Sequence, residues 1–204
     1  MHNPLTDYIA PRGRTGGLTL LALLAVSMLA TRYHHFSSVL HLADTSWAVF
    51  FLAGLWFRRA AVLGGLIGLA VAIDAGSVVI DGAAMASCFS PAYPGVLLAY
   101  AALWGVGRLT GMSLERGMPA SWVPGLALVA VALPVGVMAA FGVSNATFYA
   151  FSGQFDEMST VEYAARTGGY LWGYLASATT YVSVALVALT GANLLLGAGQ
   201  RRRA

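Results

Sequence analysis

The sequence contains no lysine, and its eleven basic residues are all arginine. Charged residues of both signs make up only 9% of the chain, where a soluble domain carries roughly 25%. That scarcity excludes an ordinary soluble domain. The arginines sit at the ends of apolar runs and do not cluster on a nucleic-acid-binding face, so the net charge of +3 fits membrane insertion. There is no Gly-rich phosphate loop, no H-E-x-x-H and no G-x-S-x-G, which excludes an ATPase site and a recognisable hydrolase nucleophile. A single cysteine, Cys88, excludes an internal disulfide.

What the chain has in abundance is apolar sequence, 58% of its residues. A spanning helix needs about 20 mostly apolar residues, and six runs qualify or nearly qualify. The expected spans are 16–31, 38–57, 60–80, 94–109, 122–141 and 169–197, within one domain over 1–204. Arg12 and Arg14 precede the run Leu18–Ala30, which has the size of a signal peptide, but Met28 stands where cleavage wants a small residue. The run therefore reads as a retained first helix. Pro134 predicts a kink in the fifth span.

The arginines also predict orientation. With the N-terminus cytoplasmic, Arg12, Arg14, Arg58, Arg59, Arg108, Arg116, Arg201, Arg202 and Arg203 fall inside, and only Arg32 and Arg166 fall outside. The expectation is an all-α, six-span protein of the bacterial inner membrane with both termini cytoplasmic. In the third span Ala60, Gly64, Gly68, Ala72 and Gly76 recur every four residues. That stripe predicts close helix packing within the bundle, with a docking face for another protein as the alternative.

Residues suited to chemistry gather on the outward side: His34, His35, His41, Asp44, Asp74, Asp81, Cys88, Tyr93, Tyr149, Gln154, Asp156 and Glu157. Asp74 lies about 9 Å inside the outer end of its span at 1.5 Å per residue. It reads either as a pocket floor or as a hydrogen-bonding partner for a neighbouring helix. Asp74, Asp81 and Cys88 are spaced by sevens and share a face if the helix continues. Cys88 reads as a buried small hydrophobe or as a ligand; its surroundings, Ser87 to Pro94, carry two prolines and would hold a thiolate stiffly. His34, His35, His41 and Asp44 suit zinc, nickel or copper, or else interfacial hydrogen bonding. The aromatic run from Phe148 through Tyr149, Phe151 and Phe155 reads as an interfacial belt or as a lid over a flat ligand.

Two stretches, Arg32-Tyr33-His34-His35-Phe36 through Ser46-Trp47-Ala48-Val49-Phe50-Phe51 and Ala86-Ser87-Cys88-Phe89-Ser90-Pro91-Ala92-Tyr93, carry a resemblance. The chain resembles the S-components of energy-coupling-factor vitamin transporters, and within them the BtuM-type solitary cobalamin transporters of Gram-negative bacteria. The resemblance implies a carrier that binds cobalamin from the periplasm and moves it inward, with Cys88 as the cobalt ligand. Tyr93, Phe89, Asp74 and Asp81 would shape the pocket, with His34, His35, Tyr149 and Phe151 contributing from neighbouring loops. The first span lacks a clean Ala-x-x-x-Ala pattern for docking a coupling subunit, which implies function without a dedicated ATPase module. Thiolate donation to cobalt further implies possible decyanation of cyanocobalamin through Cys88. Two other classes remain open: a haem-binding redox protein using His34, His35 or His41, and a non-catalytic assembly subunit docked through the small-residue stripe.

Overall fold

The computed structural model describes residues 6–32, 43–81, 89–116 and 122–201. These residues form an all-helical bundle: α1 (Thr6–Ile9), α2 (Gly13–Arg32), α3 (Ser46–Trp56), α4 (Ala60–Asp81), α5 (Tyr93–Glu115), α6 (Trp122–Phe151), α7 (Thr160–Thr167) and α8 (Tyr170–Arg201). Five of them, α2, α4, α5, α6 and α8, contain apolar stretches long enough to cross a membrane. Large apolar side chains such as Leu23, Val79, Leu109, Val131, Val187 and Leu195 point outward. An apolar exterior of this kind is what a bilayer solvates, and the chain is a multi-pass helical membrane protein.

The expected second span, 38–57, is helical within the described residues only from Ser46, because residues 43–45 are not helical. Asp44 starts the helix there: its Oδ1 accepts from the Ser46 backbone N–H at 2.8 Å and from Ser46 Oγ at 2.6 Å. A carboxylate at a helix N-terminus satisfies donors that lack an intrahelical partner. The resulting α3 has 11 residues, about 16 Å at 1.5 Å per residue. It is apolar on every face, and Ser46 through Leu55 are all buried. A helix without a polar face has to be enclosed, and α3 lies at the centre of the bundle with α2, α4, α5, α6 and α8 around it.

Glycine permits the tightest contact. A Cβ on Gly54 of α3 would meet the Trp104 carbonyl, and Cβ atoms on Gly107 and Gly111 of α5 would meet the carbonyls of Phe51 and Leu55. Gly107 and Gly111 form a G-x-x-x-G pair, which lets two helix backbones touch. The stripe expected to do this on α4 does not. Nothing lies within 4 Å of a Cβ built on Gly64, Gly68 or Gly76, and Ala60 and Ala72 are exposed. α4 instead buries Leu66, Ala70, Ile73 and Ser77, the opposite face.

Two helices run six or more residues past their expected ends. α5 continues beyond Leu109 to Glu115, and α6 continues beyond Phe141 to Phe151. Polar residues beyond those expected ends bond back to their own helix. Thr110 Oγ1 donates to the Val106 carbonyl at 2.8 Å, Asn145 Nδ2 to that of Phe141 at 3.0 Å, and Thr147 Oγ1 to that of Val143 at 2.9 Å. α7 was not expected. Ser159 caps it by accepting from the Glu162 N–H at 3.3 Å, a Ser-x-x-Glu start signal.

Candidate functional site

The end of the bundle where α2 stops and α3 begins carries a buried polar cluster. Arg32, the last residue of α2, donates from Nε to Asp74 Oδ1 at 2.7 Å and from Nη2 to Asp74 Oδ2 at 2.6 Å. Its Nη1 reaches Asp44 Oδ2 at 3.4 Å and Ser46 Oγ at 3.3 Å, and donates to the Tyr100 hydroxyl. Tyr93 donates its hydroxyl to Asp74 Oδ2 at 2.7 Å. One guanidinium thus joins α2, the start of α3, α4 and α5. Such a pair forms because an intramembrane carboxylate is costly alone, and the planar fork of arginine matches both carboxylate oxygens.

Aromatic rings surround this cluster. Phe50 stacks on Tyr100 with centroids 4.3 Å apart, Trp47 stacks on Tyr174 at 4.4 Å, and Phe89 packs on Tyr93 at 4.9 Å. A second aromatic group caps the same end: Tyr149, Phe155 and Tyr163 lie within ring contact of one another, and Phe148 lies against Phe155. The Tyr149 hydroxyl donates to the Met158 carbonyl at 2.7 Å, and the Tyr163 hydroxyl to Asn145 Oδ1 at 3.1 Å. Burial raises the Tyr163 phenol above its ordinary value, so it stays a neutral donor.

Between the two groups lies a cleft of about 240 Å³ lined by Ser90, Ala92, Tyr93, Val96, Ser144, Asn145, Phe148 and Tyr174. Its chemistry is mixed: hydroxyls and an amide alternate with aromatic faces, which suits a flat molecule carrying peripheral amides or hydroxyls. Of the residues expected to form a site, Tyr93 lines this cleft and Phe89 packs on Tyr93. Asp74 sits behind Tyr93 with both carboxylate oxygens engaged. Tyr149 belongs to the aromatic cap, and Phe151 is exposed at the end of α6. Cys88, His34, His35 and His41 lie outside the described residues, as does the side chain of Asp81 at the end of α4. Among the described residues, no three His, Cys, Asp or Glu side chains gather as a metal cluster would.

Several residues of this end were not singled out from the sequence: Tyr100, Ser144, Asn145 and Tyr174 as cleft or cluster residues, and Arg32 as more than a topological charge. Arg32 had a readable signal, since Asp74 needs a cation and Arg32 is the arginine at the matching end of its helix. Ser144 and Asn145 had none, because they lay beyond the expected end of their span. No protein-family model and no curated protein sequence matches the chain.

Proposed function

We propose that this protein is a six-span inner-membrane carrier, both termini cytoplasmic, that binds cobalamin at the Arg32 end and moves it inward. The observation that carries the reading is one contact. Phe89, the residue after Cys88, packs on Tyr93, and Tyr93 lines the mixed polar and aromatic cleft. The reading takes the thiol of Cys88, the residue that precedes Phe89 in sequence, as the group that serves that cleft. The nine-to-two arginine split supports placing the Arg32 end outward, and the resemblance in the Cys88 stretch supports the choice of cargo.

The residues present fit part of such a cargo. Ligand pockets for drug-sized molecules run to roughly 300–1,000 Å³, so a 240 Å³ cleft takes an edge of a corrin and not the whole ring. Ser90, Ser144 and Asn145 offer partners for the amides on that edge, and Tyr174 and Phe148 offer flat surfaces. The Arg32–Asp74 pair lies behind Tyr93 and fixes the position of its hydroxyl. Cys88 then supplies the axial donor: a thiolate is soft and strong toward cobalt, and coordination favours its deprotonation. With the vitamin bound, the Cys88 thiolate would be the residue that holds its cobalt, and its electron donation would favour loss of a cyanide as the anion with no change in the oxidation state of cobalt.

The test is a cyanocobalamin titration of the detergent-purified protein, followed by absorption, for wild type and Cys88→Ser. Wild type should bind saturably and shift the corrin bands. Cys88→Ser should lose that shift and bind more weakly, because serine is nearly the same size but a poor cobalt donor. An identical spectrum and affinity in the two proteins would remove the thiolate, and absence of saturable binding to wild type would remove the cargo. A Soret band in the purified protein would point to haem instead.

A further inference from the structure

The hydrogen bonds around the cleft decide which kind of group it can accept. Tyr93 and Ser144 both line it, and each hydroxyl carries a single proton. Tyr93 commits that proton to Asp74 Oδ2 at 2.7 Å, and Ser144 commits its own to the Phe141 carbonyl at 3.2 Å. An arginine-paired carboxylate and a backbone carbonyl only accept, so the direction of both bonds is settled. What Tyr93 and Ser144 have left for a ligand is lone pairs. Asn145, next in the cleft wall, is held at both ends of its amide. Its Nδ2 donates to the Phe141 carbonyl at 3.0 Å, and its Oδ1 accepts from the Tyr163 hydroxyl at 3.1 Å. One N–H and one lone pair remain to it. Ser90 and Tyr174 complete the polar lining with hydroxyls, which can donate or accept.

Charge narrows the choice further. Arg32 and Asp74 engage each other through two bonds of 2.7 and 2.6 Å, and no charged side chain is among those lining the cleft. An ammonium group would meet no carboxylate there and a carboxylate would meet no cation, and burying an unpaired charge is costly. An ester is neutral but brings only lone pairs against those of Tyr93 and Ser144. A primary amide brings two N–H donors, a carbonyl and no charge.

We propose that the cleft selects neutral primary amides, with Tyr93 and Ser144 as the acceptors that read their N–H groups. The inference rests on the carrier reading above for the molecule that bears the amides. It also gives the Arg32–Asp74 pair a part in specificity: by taking the Tyr93 proton, Asp74 leaves the phenol oxygen as an acceptor toward the cleft.

The test compares two corrins on full-length, detergent-purified protein, with cyanocobalamin as the control. The two share one ring and the same axial cyanides. One carries every peripheral carboxyl group as the primary amide, the other carries every one as the methyl ester. Apolar burial alone would favour the ester, so the order of affinities reports hydrogen bonding. Wild type should bind the amide corrin at least tenfold more tightly than the ester. Ser144→Ala, which removes one acceptor and leaves the helix backbone intact, should narrow that ratio to about threefold or less. Equal affinity for the two corrins, or tighter binding of the ester, would overturn amide selection while cyanocobalamin binding kept the carrier reading standing. An undiminished ratio in Ser144→Ala would overturn the assignment of the acceptor. Absence of saturable binding of cyanocobalamin and of both corrins would overturn the carrier reading and this inference together.

Discussion

Arg32 and Asp74 meet through two parallel hydrogen bonds of 2.7 and 2.6 Å, joining the last residue of α2 to the middle of α4. Both side chains are largely buried, at 12% and 15% exposure, so neither charge is stabilised by water. Removing one partner of a buried pair costs about 3–5 kcal/mol, whereas removing both can be neutral. Asp74→Ala should therefore lower the thermal midpoint in detergent sharply, and Arg32→Met combined with Asp74→Leu should recover much of the loss. Equal midpoints for the single and double variants would mean that the charges do not depend on each other.

Tyr93→Phe keeps the ring that lines the cleft and removes the hydroxyl that donates to Asp74. A hydrogen bond to a charged group contributes about 1.5–3 kcal/mol. A drop in unfolding free energy in that range, with the Phe89 contact preserved, is the expected outcome, read by thermal melting with and without cyanocobalamin. A variant as stable as wild type would show that Arg32 alone holds Asp74.

The glycine contacts separate two faces that look alike in sequence. Gly107→Ala adds a methyl group where the Phe51 carbonyl already sits, and overpacking of this kind costs typically 1–3 kcal/mol. Gly68→Leu adds a larger group where nothing lies within 4 Å. The first should lower the melting temperature and the second should leave it near that of wild type. The reverse order would mean that α4 packs through its small-residue face.

Ser144 lines the cleft, and Ser144→Leu fills part of it with apolar volume. Saturable cyanocobalamin binding should weaken by tenfold or more while the protein melts normally. Undiminished binding would place the cargo elsewhere on this end.

Orientation is checked by labelling. Ser113 and Ser159 are both exposed, near opposite ends of the bundle. In a Cys88→Ser background, Ser159→Cys should react with an impermeant thiol reagent in intact spheroplasts and Ser113→Cys should not. The opposite pattern would put the Arg32 end in the cytoplasm.

The membrane class was legible from the sequence because it depends on composition: few charges and long apolar runs have one stable solvent. The approximate positions of α2, α4, α5, α6 and α8 followed for the same reason, and so did the gathering of Tyr93, Phe89 and Asp74 toward one end, which depends only on which helix ends are neighbours. What the sequence could not show is which face of an apolar helix meets which neighbour. Apart from Asp74 and Ser77, α4 carries only apolar or small residues up to Ile80, so period and hydrophobicity do not choose between its glycine stripe and the row Leu66, Ala70, Ile73 and Ser77. Only packing against the bundle chose the second. The same holds for α3. Ser38–Phe57 reads as one apolar run, and the helix start at Ser46 accompanies Asp44 accepting from the Ser46 N–H while Arg32 approaches from α2. The pairing of Arg32 with Asp74, 42 residues apart, and the meeting of Tyr93 with Ser144, Asn145 and Tyr174 in one cleft are long-range contacts. They exist only once α5, α6 and α8 close around α3, because tertiary structure alone sets the distance between side chains on different helices.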